Sequence, residues 1–146
     1  MPTTICVSYP ITDLDRSKAF YTALGATVDP SFTDDSAARL VWEENISLMI
    51  LKRELFATFT DKQLADPATS AQVQIAFTRD SREDVDATAE AGLAAGGSEP
   101  RPAEDHGFMY GRDLEDPDGN IVAFMFIEPQ AAQQGPEAYL AEQARA

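Results

Sequence analysis

The stretch Gly107–Phe126, GFMYGRDLEDPDGNIVAFMF, constrains this chain more than any other. At its centre is Asp116-Pro117-Asp118-Gly119. An aspartate can accept a hydrogen bond from the backbone two residues on. Proline presets φ near about −65°, and glycine tolerates positive φ. The four residues therefore predict a tight turn. Phe108–Leu114 and Ile121–Ile127 flank it, and both are rich in the aromatic and branched residues that suit a pleated surface. They predict two antiparallel strands. The second is nearly uninterrupted apolar, so it is expected deep in a sheet with something on each face.

The rest of the chain must supply those covers. With 146 residues, it can bury a substantial core in one or at most two units. Cys6 is its only cysteine, which excludes an internal disulfide and suits a reducing, cytoplasmic compartment. No basic-then-apolar leader opens the chain, and no apolar run approaches the length of a membrane span. The formal charge is −14. Nucleic acid and anionic membrane would repel such a surface, so neither is an expected partner. A solubilising acidic surface is the plain reading; an acidic cleft that attracts a cationic small molecule is the sharper one.

The order of elements repeats. Thr4–Tyr9 reads as a strand, Asp13 as an N-cap, and Leu14, Ala19, Phe20, Ala23 and Leu24 recur at helical spacing up to Gly25. Thr27–Phe32 reads as a second strand. Ala38–Trp42 and Ile46–Leu51 read as a hairpin through Glu43-Glu44-Asn45. The pattern then restarts. Ala71–Thr78 reads as a strand, Asp80 or Ser81 caps a helix ending at Gly96-Gly97, and Ser98–Pro102 is a short edge strand before the opening hairpin. Between the halves, Lys52–Ala65 is expected to be a short helix crossing over a cleft, followed by a linker at Asp66–Ser70. The expected layout is one domain over 1–128, with a first module at about 3–52, a crossover at 53–70 and a second module at about 71–128. A tail or short helix occupies 129–146.

Three segments in this order, Asp13-Leu14-Asp15-Arg16-Ser17 with Phe20-Tyr21 and Leu24-Gly25, Asp80–Gly97, and Asp116–Asn120, resemble the vicinal oxygen chelate superfamily. That group includes glyoxalase I, bleomycin- and fosfomycin-resistance proteins and extradiol dioxygenases. The resemblance implies an α+β fold of two βαβββ modules whose curved mixed sheets enclose a shared cleft, with the helices outside. It also implies a homodimer, with modules paired within or between chains. Metal-binding members carry His and Glu ligands on the inner strand faces, where the metal stabilises charge developing on substrate oxygens. The positions the resemblance assigns to those ligands hold Cys6, Gln74 and Ala123 here, and the window Ser47–Leu51 offers neither imidazole nor carboxylate. No metal and no cofactor are expected. His106, between Asp105 and Gly107, reads as a surface or rim histidine, and Cys6 lacks a base that would make it a nucleophile.

Strand alternation then selects a ligand site. Cys6 and Ser8, Gln74 with Ala76 and Thr78, and Ala123 with Ile121 and Met125 are expected on the cleft face. Pairing Ala123 with Arg112 and Met125 with Tyr110 across the turn adds Tyr110 and Arg112 to that face. Trp42, Met49, Phe56 and Phe59 can supply an apolar wall or lid, or simply core. Arg112 can bind an anion of the ligand or close an internal salt bridge. The expected function is sequestration of a small organic ligand, to which a cation would suit the acidity. A glyoxalase-like lyase or isomerase using Tyr110 or Arg112 is the enzymatic alternative. A regulatory or accessory domain is the third.

Overall fold

A computed structural model describes residues 3–146. The first strand, β1 (Ile5–Ile11), leads into helix α1 (Leu14–Ala23), whose first turn is capped by the Asp13 carboxylate on the Arg16 amide at 3.0 Å. After Gly25, at φ +107°, come β2 (Thr27–Asp29), β3 (Ala37–Glu43) and β4 (Ile46–Lys52). The second module repeats this with β5 (Gln74–Thr78), α3 (Arg82–Ala94), β6 (Glu104–Asp105), β7 (Met109–Glu115) and β8 (Ile121–Ile127). The crossover holds α2 (Arg53–Phe56), and α4 (Pro129–Gln134) and α5 (Pro136–Arg145) close the chain. The sheets run β1-β4-β3-β2 and β5-β8-β7-β6. In each, the first and last strands pair in parallel and the remaining pairs are antiparallel. These are the two βαβββ modules and mixed sheets of the expected α+β fold.

Local departures have local causes. β1 runs on through Pro10 to Ile11; it is an edge strand, where a missing amide is tolerated. The second strand stops at Asp29, because Pro30 opens a 3₁₀ turn capped by the Asp29 carboxylate on the Ser31 amide. The helix expected over Lys52–Ala65 is confined to Arg53–Phe56 and one 3₁₀ turn to Phe59. Side-chain-to-backbone bonds then take over: the Thr60 hydroxyl accepts from the Lys62 amide and the Asp66 carboxylate from the Ala68 amide. The strand expected at Ser98–Pro102 is a single bridge from Ser98 to Glu115. Pro100 and Pro102 cannot donate to a ladder, so the outer strand forms later, at β6.

The modules meet through the faces that carry their helices. Phe20 and Tyr21 of α1, Trp42 of β3, Phe77 of β5, Val85 and Ala89 of α3, and Val122 and Phe124 of β8 share one core. The Trp42 and Phe77 rings lie 4.6 Å apart, and Phe77 stacks on Phe124 at 6.2 Å. Arg79 latches the two halves. Its guanidinium donates to the Leu24 carbonyl at 3.1 Å and to the Thr88 hydroxyl at 3.0 Å, over the Phe124 ring. Burial pulls its pKa down. Each sheet thus carries its helix on the face opposite its small-residue face, and the two small-residue faces point away from each other within the chain.

Candidate functional site

The sequence segments that stood out separately are in contact. The Asp116 carboxylate, 3% exposed, accepts the amides of Asp118, Gly119 and Asn120, each at 2.9 Å. Its other oxygen accepts from the Asn120 side chain at 3.0 Å and from the Tyr21 hydroxyl at 2.7 Å. Burial first, and Asp116 second, push the Tyr21 pKa well up. Asp118 reaches back to the start of α1, accepting from the Thr12 amide at 3.0 Å and the Ser17 hydroxyl at 3.3 Å. The tight turn of the second module is therefore moored to the first helix of the first module.

That mooring sets the register of the hairpin. Drawing Asn120 into the turn makes Glu115 pair with Ile121, so Ala123 faces Asp113 and Arg112 faces Phe124. The expected pairing is off by one residue, and one residue reverses every side chain. Tyr110 and Arg112 consequently lie on the helix side. Arg112 forms a fork to Glu99, both contacts at 2.9 Å, and reaches Glu90 at 2.9 Å and Asp86 at 3.2 Å. Glu99 foremost raises its pKa. The Tyr110 hydroxyl donates to Asp86 at 2.6 Å. These two residues tie β7 to α3 instead of addressing a ligand. Arg112→Ala is expected to cost about 2 kcal/mol in urea unfolding, since the Arg112 side chain is 11% exposed and its loss strands Glu99. Small-molecule binding by the folded variant is expected to be unchanged.

The other site candidates divide by position. Cys6, Ser8 and Met49 share one face of the first sheet, with Cys6 beside Ser47 and Ser8 beside Met49. Gln74, Ala123 and Met125 share one face of the second. Trp42 belongs to neither. Its indole donates to the Leu24 carbonyl at 3.3 Å and its ring sits edge-on to Tyr21, so it is core and not a cleft wall. Phe59 is exposed, while Phe56 lines a cavity.

That cavity is about 480 Å³ and lies along the free edge of β1. Four consecutive β1 residues, Val7–Pro10, form one wall. Successive side chains alternate across a strand, so contact with all four means the cavity faces the strand's edge and not one of its faces. The crossover closes it with Phe56, Leu64 and Pro67, and Val73 and Ile121 come from the second module. Of the expected residues, Ser8, Ile121 and Phe56 line it; Leu64 and Pro67 join them from the part of the crossover beyond its short helix. Tyr9 also borders it, and burial with Asp116 nearby raises its pKa to about 12.

Asp113 was missed because the shifted register was needed to see it. It lies across from Ala123 on the small-residue face. Burial chiefly, then Glu104, raise its pKa, while Arg101 opposes. A carboxyl whose folded pKa exceeds its unfolded value weakens the fold when ionised, and that penalty disappears as pH falls through the folded pKa. Asp113→Asn is expected to raise the thermal midpoint at pH 7, with the gain shrinking towards zero in acid. A gain that persists at low pH would point to a different cause.

No helix among the described residues is long and apolar enough to cross a membrane. Among curated proteins, none matches this sequence significantly. The chain is similar to a hypothetical protein of S. aureus at 21% identity and TM-score 0.73, covering 86% of this chain and 95% of that one. It is also similar to a glyoxalase/bleomycin resistance protein from Albidiferax ferrireducens at 26% identity and TM-score 0.62, covering 83% and 95%. A fosfomycin resistance protein from Listeria monocytogenes shares the fold at 16% identity and TM-score 0.64, covering 89% and 97%. A family model matches residues 5–124. This chain belongs to the glyoxalase/bleomycin resistance protein/dioxygenase superfamily.

Proposed function

We propose that this protein binds a small organic molecule in the apolar cavity at the free edge of β1, with no metal taking part. The observation that carries the reading is the cavity itself. Its volume of about 480 Å³ falls within the range of roughly 300–1,000 Å³ usual for small-molecule sites. Apolar groups (Val7, Phe56, Leu64, Val73, Ile121) dominate its walls, and Ser8, Gln72 and Asn120 supply a few polar contacts. The chemistry of the donors supports a metal-free site. Ala123 has no ligating atom and Gln74 is a weak neutral donor, while Cys6 sits beside Ser47 on the opposite module. Among the described residues, no three of His, Cys, Asp and Glu gather to hold an ion. The acid–base alternative is weakened, because Tyr110 bonds to Asp86 and Arg112 to Asp86 and Glu90, all on α3.

The same geometry supports a homodimer. The small-residue faces point apart, the outer edges of β1 and β5 are unpaired, and Ile5 and Val73 beside them are 67% and 51% exposed. A second copy placing its second module against this first module would complete a cleft between two such faces.

A thermal-shift screen of small organic molecules tests the binding reading. Hits should stabilise the parent protein, and Ile121→Trp or Ser8→Trp, each filling the cavity, should abolish the shift. Hits that stabilise the filled variants equally would sink the reading. Trp42 fluorescence is a poor reporter because the indole packs against the core and does not line the cavity. Metal analysis should find no stoichiometric ion, and light scattering should give twice the mass of the 15.9 kDa chain.

A further inference from the structure

The cavity at the free edge of β1 is walled by backbone as well as by side chains. In a parallel pair, alternate residues of a strand send both N–H and C=O to the neighbour, and the residues between them send theirs the other way. Two contacts fix which residues of β1 point out. The Lys52 amide donates to the Ser36 carbonyl at 2.8 Å, so the even-numbered residues of β4 address β3 and the odd-numbered ones address β1. With Val7 beside Leu48 and Tyr9 beside Ile50, it is Val7, Tyr9 and Ile11 that bond to β4. Cys6, Ser8 and Pro10 turn their backbone groups to the free edge. The Thr12 amide, next in that outward set, is taken by the Asp118 carboxylate at 3.0 Å. Ser8 stands within the cavity wall, and neither its N–H nor its C=O has a backbone partner among the described residues. An unpaired strand edge is a template for another amide. Here the template is short. Pro10 has no N–H and Asp118 occupies the one at Thr12, so an added strand finds no free donor beyond Ser8. The cavity equals about sixteen waters at ~30 Å³ each, room for one amino-acid residue blocked at both ends.

We propose that the ligand of this cavity is an N-acylated amino-acid amide, a peptide-like unit that pairs with Ser8 as a neighbouring strand would. This rests on the reading of the cavity as a small-molecule site. The unit's C=O accepts from the Ser8 amide, its N–H donates to the Ser8 carbonyl, and its apolar side chain lies against Phe56, Leu64 and Val73. Main-chain pairing of this kind selects the amide class, and the apolar walls select the side chain. A neutral unit also suits a chain of formal charge −14, which would repel a free carboxylate.

The test is a titration of the nitrogen-15-labelled protein with N-acetyl-L-leucine N-methylamide, followed by NMR. The Ser8 amide proton is expected to move downfield saturably and to exchange with solvent at least tenfold more slowly. The Cys6 amide, which points out from the same edge but lies outside the cavity, should not change. The analogue methylated at both nitrogens keeps the apolar side chain and loses both donors, and should bind at least tenfold more weakly. Ser8→Pro, which removes the outward amide at an edge position where proline is tolerated, should weaken binding to the same extent. Should that variant fail to fold, the methylated analogue still decides. Equal affinity for the two compounds, or a Ser8 amide unmoved at saturation, would overturn the proposal. So would a Ser8 amide already protected in the free protein, with protection rising with protein concentration, because a second copy would then hold the edge. If amide-free hits of the thermal-shift screen bind and Ile121→Trp abolishes them while the leucine amide does not bind, the amide assignment falls and the cavity reading stands.

Discussion

Replacing Asp116 by alanine is expected to lower the unfolding free energy by roughly 3–5 kcal/mol, measured by urea denaturation. Its carboxylate takes three turn amides, the Asn120 side chain and the Tyr21 hydroxyl, and it is almost fully buried. Removing it leaves those donors unpaired where water has little access, and unmade bonds cost more than made ones contribute. Tyr21→Phe removes one donor along with its need for a partner, so it should cost only about 1 kcal/mol. If Asp116→Ala lost no more than Tyr21→Phe, the turn would be holding itself and the mooring would be incidental. A loss of 3 kcal/mol or more beside a Tyr21→Phe cost near 1 kcal/mol would show that the carboxylate holds the turn, the link to α1 being the smaller share.

Phe20→Ala is expected to cost about 3–5 kcal/mol, in a single cooperative transition. Phe20 is fully buried in α1 yet fills space belonging to the second module. A Cβ placed on Gly97 would come within 2.5 Å of its ring, and one on Gly92 within 3.4 Å. Those two glycines are therefore the recess that receives the ring. Truncating Phe20 opens a cavity between modules that the surrounding strands cannot collapse to fill. Two separated calorimetric transitions in the parent protein would show that the modules fold independently and that Phe20 does not couple them.

Alternation settles which face of a strand a residue occupies, but little of the β1 cavity follows from it. Ser8 shares a face with Met49, and Gln74 with Ala123 and Met125, as the hydrophobic period of each strand indicates. Tyr110 and Arg112 were misplaced because alternation within a strand says nothing of the partner it faces. That depends on how many residues the turn consumes, and the Asp116 carboxylate draws in Asn120 as well. Asp113 was hidden by the same slip. The walls of the β1 cavity were illegible for another reason. Leu64, Pro67 and Val73 lie in irregular backbone held by long-range contact, as at Gly119, where an added Cβ would meet the Pro67 carbonyl at 2.7 Å.

By itself, the sequence determined everything that neighbouring residues can settle. This includes the capping of α1 by Asp13, the turn at Asp116–Gly119 and the order of elements in each half. Short-range hydrogen bonds, φ preferences and side-chain chemistry are local, and they survive translation into any tertiary setting. Only the tertiary structure decided which face of β7 meets α3 and that the modules meet through their helices. Those outcomes depend on contacts between residues far apart in the chain, among them the Tyr21–Asp116 bond and the tilted Trp42–Phe77 ring contact. No local pattern encodes which of the alternative pairings such contacts will select.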